Sequence, residues 1–268
     1  MILETTSGRV RLAANLKWMY TEVPFEERFD RAAASGFTGV EFASPYDLPA
    51  QRIREMLDQA GLEQALINTP AGAKGSPTVM GAAYVPGARE EFRAGVLTAL
   101  EYATVIDAPV IHVMAGLRPA DADADLAFAT YVANIGWAAE QARGSGIRLV
   151  LEAINKRDQP SYGLQTMETA AAVAEAVDPA IVGVLFDVYH AQVDGGNVIE
   201  RFERLLPRVG HIQIADNPGR GEPGTGEIAY DRVLTRIAAS DYAGWIGCEY
   251  GPIAGTEAGL SWTERISA

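Results

Sequence analysis

The chain of 268 residues is 48% apolar, ample for a packed core, and its formal net charge is −13. An acidic balance of that size excludes a phosphate-backbone footprint, so no nucleic-acid partner is expected. Cys248 is the one cysteine, which excludes a disulfide framework; no stretch nears membrane-helix length and MILETTSGRV has no apolar leader core, so a soluble cytoplasmic protein without a membrane partner is expected.

In chain order, short apolar runs alternate with longer stretches of helical period. RLAANL (11–16) is followed by the helical FEERFDRAAASG (25–36), TGVEF (38–42) by PAQRIREMLDQAG (49–61), and LEQALIN (62–68) by AREEFRAGVLTALEYATVID (88–107). APVIHVM (108–114) precedes YVANIGWAAEQARGSG (131–146), with the acidic DADAD (121–125) read as a solvated helix start. GIRLVLEA (146–153) leads to TMETAAAVAEAV (166–177), IVGVLFDV (181–188) stands alone, VGHIQIA (209–215) leads to YDRVLTRIAAS (230–240), and GWIGCEY (244–250) closes the series. Several helical stretches end in Gly, which suits a left-handed C-cap. Eight strands alternating with helices predict a single (β/α)8 TIM barrel over residues 1–268. A doubly wound open sheet uses the same units, but no Gly-x-Gly-x-x-Gly follows the first strand to support its dinucleotide form.

Four successive strands end in oxygen-bearing side chains: Glu152 on the fifth, Asp187 on the sixth, Gln213 on the seventh and Glu249 on the eighth. In a barrel all four point into the C-terminal mouth, where active sites of this fold sit. Converging carboxylates repel unless a cation holds them, and three carboxylates with one amide oxygen suit Mg2+ or Mn2+ better than Zn2+. Taken singly, each has a plainer reading. A strand-end acid caps a helix or pairs with a loop cation, and a lone Gln is a satisfied core amide. The repetition on four strands favours a metal site. His190 either caps the next helix or contacts substrate over the same mouth. His112 reads as a hydrogen-bonded core histidine, and His211 shares the face of Gln213 with no basis for a choice. Cys248 should turn away from its neighbour Glu249 as a buried structural thiol.

TEVPFEERF (21–29), VEF (40–42), HVMAG (112–116), DVYHAQ (187–192), HIQIADNPGRGEPGTGEI (211–228) and GWIGCEYGP (244–252) together resemble the hydroxypyruvate isomerase family, one of the xylose-isomerase-like TIM barrels. The resemblance runs nearly end to end. It implies metal ligands at Glu152, Asp187, Gln213 and Glu249, with the two glutamates as the acid/base pair. It also implies substrate contacts from His190 and Arg220. The GTGE form ending in Glu227 resembles the 2-oxo-tetronate isomerase branch. Two features depart from the family form: Leu185 stands where Gln is usual, and the loop 69–87, rich in Gly and Pro, differs and reads as a lid that sets specificity.

The implied partner is a small hydroxy-keto acid or sugar, and a homo-oligomer is compatible with the resemblance. The implied chemistry is an aldose–ketose type isomerisation by proton transfer through an enediolate. Arg220 is the first candidate for a substrate carboxylate, with Lys156 and Arg157 as alternatives. A hydride shift is the other isomerase route. A ketose 3-epimerase would use the same metal and glutamates, although epimerases of this fold usually show His where Gln213 stands. A sugar-acid dehydratase is a further alternative. An endonuclease-type zinc cluster needs more histidine than the three present here.

Overall fold

The computed structural model describes residues 1–120 and 122–266. Its apolar runs form β2 (Gly8–Asn15), β3 (Gly39–Glu41), β4 (Glu63–Asn68), β5 (Val110–His112), β6 (Arg148–Glu152), β7 (Val182–Asp187), β8 (Val209–Ile214) and β9 (Trp245–Cys248). These eight strands are parallel neighbours in sequence order, and β9 pairs back onto β2 through Arg11–Trp245 to Ala14–Cys248. That last pairing closes the sheet and rules out the open alternative. A short β1 (Ile2–Thr5), absent from the expected strands, forms a hairpin with β2 outside the ring.

Helices pack between and outside the strands: α1 (Arg28–Ala34), α2 (Ala50–Ala60), α3 (Arg89–Val105), α4 (Ala124–Ala142) and α5 (Met167–Val177). They are followed by α6 (Val188–Asp194), α7 (Val198–Leu205), α8 (Tyr230–Ala238), α9 (Thr256–Gly259) and α10 (Trp262–Ile266). The local signals behave as their chemistry requires. Gly61 ends α2 with φ 65°, and Thr166 caps α5 through the Thr169 N–H. Asp123 caps α4 through the Leu126 N–H, so the acidic run does start a helix, although its first residue, Asp121, lies outside the described residues. Gly195 and Gly196 separate α6 and α7 into pieces of seven and eight residues, too short for period to reveal them. Among the described residues no helix is long and apolar enough to cross a membrane.

Inside the ring, Leu66, Val110, Val150 and Leu185 form a buried apolar layer. Leu185 shares a strand face with Asp187, two residues on. The departure at Leu185 therefore lies in the plug beneath the mouth and leaves the mouth itself unchanged.

Candidate active site

Strand register pairs Asp187 with Gln213 across β7 and β8. Glu152, last in β6, pairs with Leu185, two residues before Asp187, and Glu249 follows Gly247, the partner of Gln213, by two, so the four stand at the strand ends in a staggered row. Glu152, Gln213 and Glu249 line a cavity of about 190 Å3 together with His190 and Arg220, and Asp187 is buried beside it at 1% exposure. All six residues singled out in the sequence thus meet at the C-terminal mouth.

Asp187 divides its two oxygens. Oδ1 accepts the His190 N–H at 3.1 Å, which caps α6, while Oδ2 is buried without a hydrogen bond. The cap and an unpartnered oxygen coexist on one carboxylate. His190 is accordingly not a cap; it sits inside α6. Gln213 is divided likewise. Nε2 donates to Glu41 Oε1 at 2.7 Å, and Oε1 has no partner. A buried acceptor without a donor is costly, and here two occur on adjacent strands.

The carboxylates perturb one another. Burial raises Glu152 well above the ordinary carboxylate range, and the charges of Glu249 and Asp187 push the same way. Burial also raises Glu249 to about 7, with Arg220 pulling down and Asp187 pushing up. Perturbed acids grouped in a cavity are what proton-transfer chemistry requires.

Arg220 supplies the local positive charge. Nη2 lies 3.0 Å from Glu249 Oε1 and 3.6 Å from Asp187 Oδ2. Its guanidinium stacks between Trp18 and Tyr189, 4.8 and 5.1 Å from their centroids. It is carried on a loop whose backbone is forced into the left-handed region at Gly219 and Arg220, with φ 98° and 56°. Asp216, fully buried, sets that loop by accepting N–H groups from Asn217, Gly224 and Ile228. Sequence reasoning passed over Asp216; the glycines around it were the available signal. Glu227 of the GTGE motif is exposed and accepts from Asn217 and Gln192, so it braces the loop and does not line the cavity.

His190 is held by Asn155. The Asn155 Oδ1 accepts the Asp158 N–H at 2.9 Å, which turns Nδ2 toward His190 Nδ1 at 2.7 Å. Nδ1 then accepts, and the proton sits on Nε2, 3.8 Å from Glu152 and 3.9 Å from Asp187. Burial lowers the affinity of this imidazole for a second proton. Glu152, Asp187 and His190 offer ligand atoms all within 4.8 Å of one another, but a protonated Nε2 has no lone pair for a cation.

Other expectations are revised. His112 is buried, as a core histidine would be, yet it lines the cavity 3.6 Å from Glu152, and burial lowers it to about 3. Lys156 and Arg157 are not among the lining residues, and Arg157 instead reaches Asn217 at 3.2 Å. Lys17 lines the cavity and had no sequence signal beyond its charge. Cys248 is fully buried, and burial raises its thiol, in keeping with a structural role. The loop 69–87 sends Met80 into the cavity wall. Its second half is pinned: Tyr84 N–H donates to Ala115 at 2.7 Å and Asn134 donates to Ala83 at 2.9 Å. Only residues 71–77 remain mostly exposed, which narrows any lid to that tip.

The model of the xylose isomerase-like TIM barrel family matches residues 29–266. The chain belongs to that family. A 2-oxo-tetronate isomerase of Cupriavidus necator is 46% identical over 94% of this chain and 96% of its own length. The hydroxypyruvate isomerase of Escherichia coli K12 is 40% identical over 95% and 98%. A solved structure from Brucella melitensis, described as an AP endonuclease of family 2, is 38% identical, covers 96% of this chain and 98% of its own, and has a TM-score of 0.92. Sugar 3-epimerases, such as one from Clostridium cellulolyticum at 17% identity and a TM-score of 0.76, share the fold alone. With full-length relatives of that kind, the chain is an isomerase of the hydroxypyruvate isomerase family.

Proposed function

We propose that this protein isomerises a short hydroxy-keto acid at a divalent cation, Mg2+ or Mn2+. The candidate reactions are hydroxypyruvate to tartronate semialdehyde, or a four-carbon 2-oxo-tetronate to its isomer. The observation that carries the cation is the pair of orphaned acceptors, Asp187 Oδ2 and Gln213 Oε1, beside two mutually repelling glutamates. Oxygen donors of this kind fit a hard cation. Glu152, Asp187, Gln213 and Glu249 would hold it. When bound, it supplies Lewis-acid stabilisation of the charge that develops on the substrate oxygens.

The protein's own groups account for the rest. Glu152 and Glu249 flank the substrate: one removes the proton from the hydroxyl-bearing carbon, and the other, or the same group, returns one to the neighbouring carbon through the enediolate. His190 presents its Nε2–H to a substrate oxygen, in the orientation set by Asn155. Arg220 and Lys17 are the Lys/Arg side chains of the wall, and the buried Arg220 Nε has no partner. They are the anchors for a substrate carboxylate. The relatives named above support this acid substrate class. A zinc-nuclease arrangement is not favoured, because His211 donates to Glu41 and does not line the cavity.

The test is product-resolved NMR in D2O on metal-stripped protein, with and without Mg2+ or Mn2+, over hydroxypyruvate, a 2-oxo-tetronate and free ketoses. Metal-dependent conversion of an oxo-acid with deuterium entering carbon is expected. Conversion without deuterium would replace proton transfer by a hydride shift. Turnover of ketoses alone, giving epimers, would overturn the acid assignment.

A further inference from the structure

Glu41 lies on β3, across the barrel from the four strand-end groups, and has no solvent exposure. A carboxylate sealed in a barrel needs donors, and this one has three. Asn15 Nδ2 and Gln213 Nε2 donate to Oε1 at 2.9 and 2.7 Å, and His211 Nε2 donates to Oε2 at 2.7 Å. The Asn15 amide is itself oriented, because its Oδ1 accepts the Lys17 N–H at 3.1 Å. Room for the carboxylate comes from β9: a Cβ on Gly247 would stand 2.2 Å from both Glu41 oxygens. Glycine is therefore required at 247 by a side chain from the opposite wall.

The consequence falls on Gln213. An amide is nearly symmetric in shape and can turn either end to a neighbour. Opposite a carboxylate oxygen only the NH2 end is tolerated, since the carbonyl end would meet acceptor with acceptor. Glu41 thereby turns Gln213 Oε1 away from itself, and that oxygen is the one left without a partner. We infer that Glu41 is a positioning residue that fixes the amide of Gln213 with its oxygen toward the cation site. Partners that orient a ligand in this way typically govern metal affinity by about 10–100-fold. The inference rests on the metal-site reading above.

The test measures Mn2+ affinity on metal-stripped full-length protein, by electron paramagnetic resonance titration, for wild type, Glu41→Gln, Gln213→Glu and the double variant. Glu41→Gln keeps the shape but offers Gln213 a donor, so the amide is free to turn its oxygen inward. Each single variant is expected to lose affinity by about tenfold or more. In the double variant the donor and acceptor are exchanged: the amide introduced at position 41 donates to the carboxylate introduced at position 213, whose second oxygen faces the site. Recovery of affinity in the double variant is expected and would not follow from a merely structural role. Equal Mn2+ affinity in wild type and a folded Glu41→Gln would overturn the role of Glu41 alone. Absence of Mn2+ binding to wild type would overturn the metal site as well. Where Glu41→Gln does not fold, the wild-type Gln213 side-chain NH2 is read by nitrogen–proton NMR. A protected NH2 signal that shifts on adding Mg2+ is expected, and a freely exchanging signal that ignores Mg2+ overturns the inference.

Discussion

Glu41 and Glu152 are both carboxylates buried inside one barrel, but their surroundings differ. Glu41 has three donors at 2.7–2.9 Å. Glu152 faces His112 at 3.6 Å and His190 at 3.8 Å, beyond good hydrogen-bond length, and the charges of Glu249 and Asp187 push against it. The β3 carboxylate is thus satisfied internally, whereas on the β6–β9 side Arg220 bonds Glu249 but leaves Glu152 with only its longer histidine contacts and Asp187 Oδ2 without a hydrogen bond. A fully bonded carboxylate rigidifies its neighbours, whereas under-bonded acids at a mouth are poised to act on something else. Distance and donor count separate the two roles better than burial does.

The largest effect that would sharpen this contrast is on turnover. Glu249→Gln retains size and removes one carboxylate of the proposed acid/base pair, so kcat should fall by about 10²–10⁴-fold with the fold intact by circular dichroism. Normal turnover in that folded variant would take Glu249 out of the mechanism and leave the poised side without its main assignment.

A smaller effect is expected on metal affinity. Asp187→Asn keeps an acceptor for the His190 cap but removes a charge and offers NH2 where Oδ2 now stands unpartnered. Mn2+ affinity should weaken by at least the roughly 10–100-fold typical of supporting residues. An unchanged titration would mean that the orphaned oxygen has some other explanation.

The satisfied and poised sides also differ in how far they were legible beforehand. The strand-end residues Glu152, Asp187, Gln213 and Glu249 stand out because a polar residue ending an apolar run breaks a local pattern. The barrel was legible for the same reason, since each run and each helical stretch carries its own period. Glu41 ends a run too, in TGVEF, but what marks it is its reach across the ring to Gln213, His211 and the bare Cα of Gly247. No linear pattern encodes a contact of that range, such as the separation of 172 between Glu41 and Gln213. Lys17 and Asn155 escaped notice likewise, because their roles follow from loop geometry and not from residue type. β1 was missed because its four residues bury only Leu3, with Ile2 exposed, too short a run for an apolar pattern to show.

Arg220 tests the boundary between pairing and recognition. It neutralises Glu249 and Asp187 and also carries the spare Nε donor. Arg220→Ala should raise KM for acid substrates by about tenfold, the scale of one charge-assisted hydrogen bond, and change KM for a neutral sugar less. Equal changes would confine Arg220 to pairing with the carboxylates and leave substrate anchoring to Lys17.

The smallest expected effect is on stability, and its sign separates the two sides directly. In the metal-stripped protein Glu249 holds its proton up to about pH 7, above the unfolded carboxylate value of about 4.3. Between those values the folded state binds more protons than the unfolded one, so stability falls as pH rises and levels off above about 7. Glu152 is shifted the same way and adds to the slope. The full Glu249 shift would correspond to about 4 kcal/mol. Its side chain is 19% exposed and paired with Arg220, so about 1 kcal/mol is expected between pH 5 and pH 8 after solvent screening. Urea midpoints of wild type and Glu249→Gln at the two pH values measure it, with the variant removing the general effect of the acidic surface. Glu41 is present in both proteins and cancels from the comparison. Stability that rose with pH in wild type relative to the variant would mean that Glu249 is as well satisfied as Glu41, and the contrast between the two sides would fail.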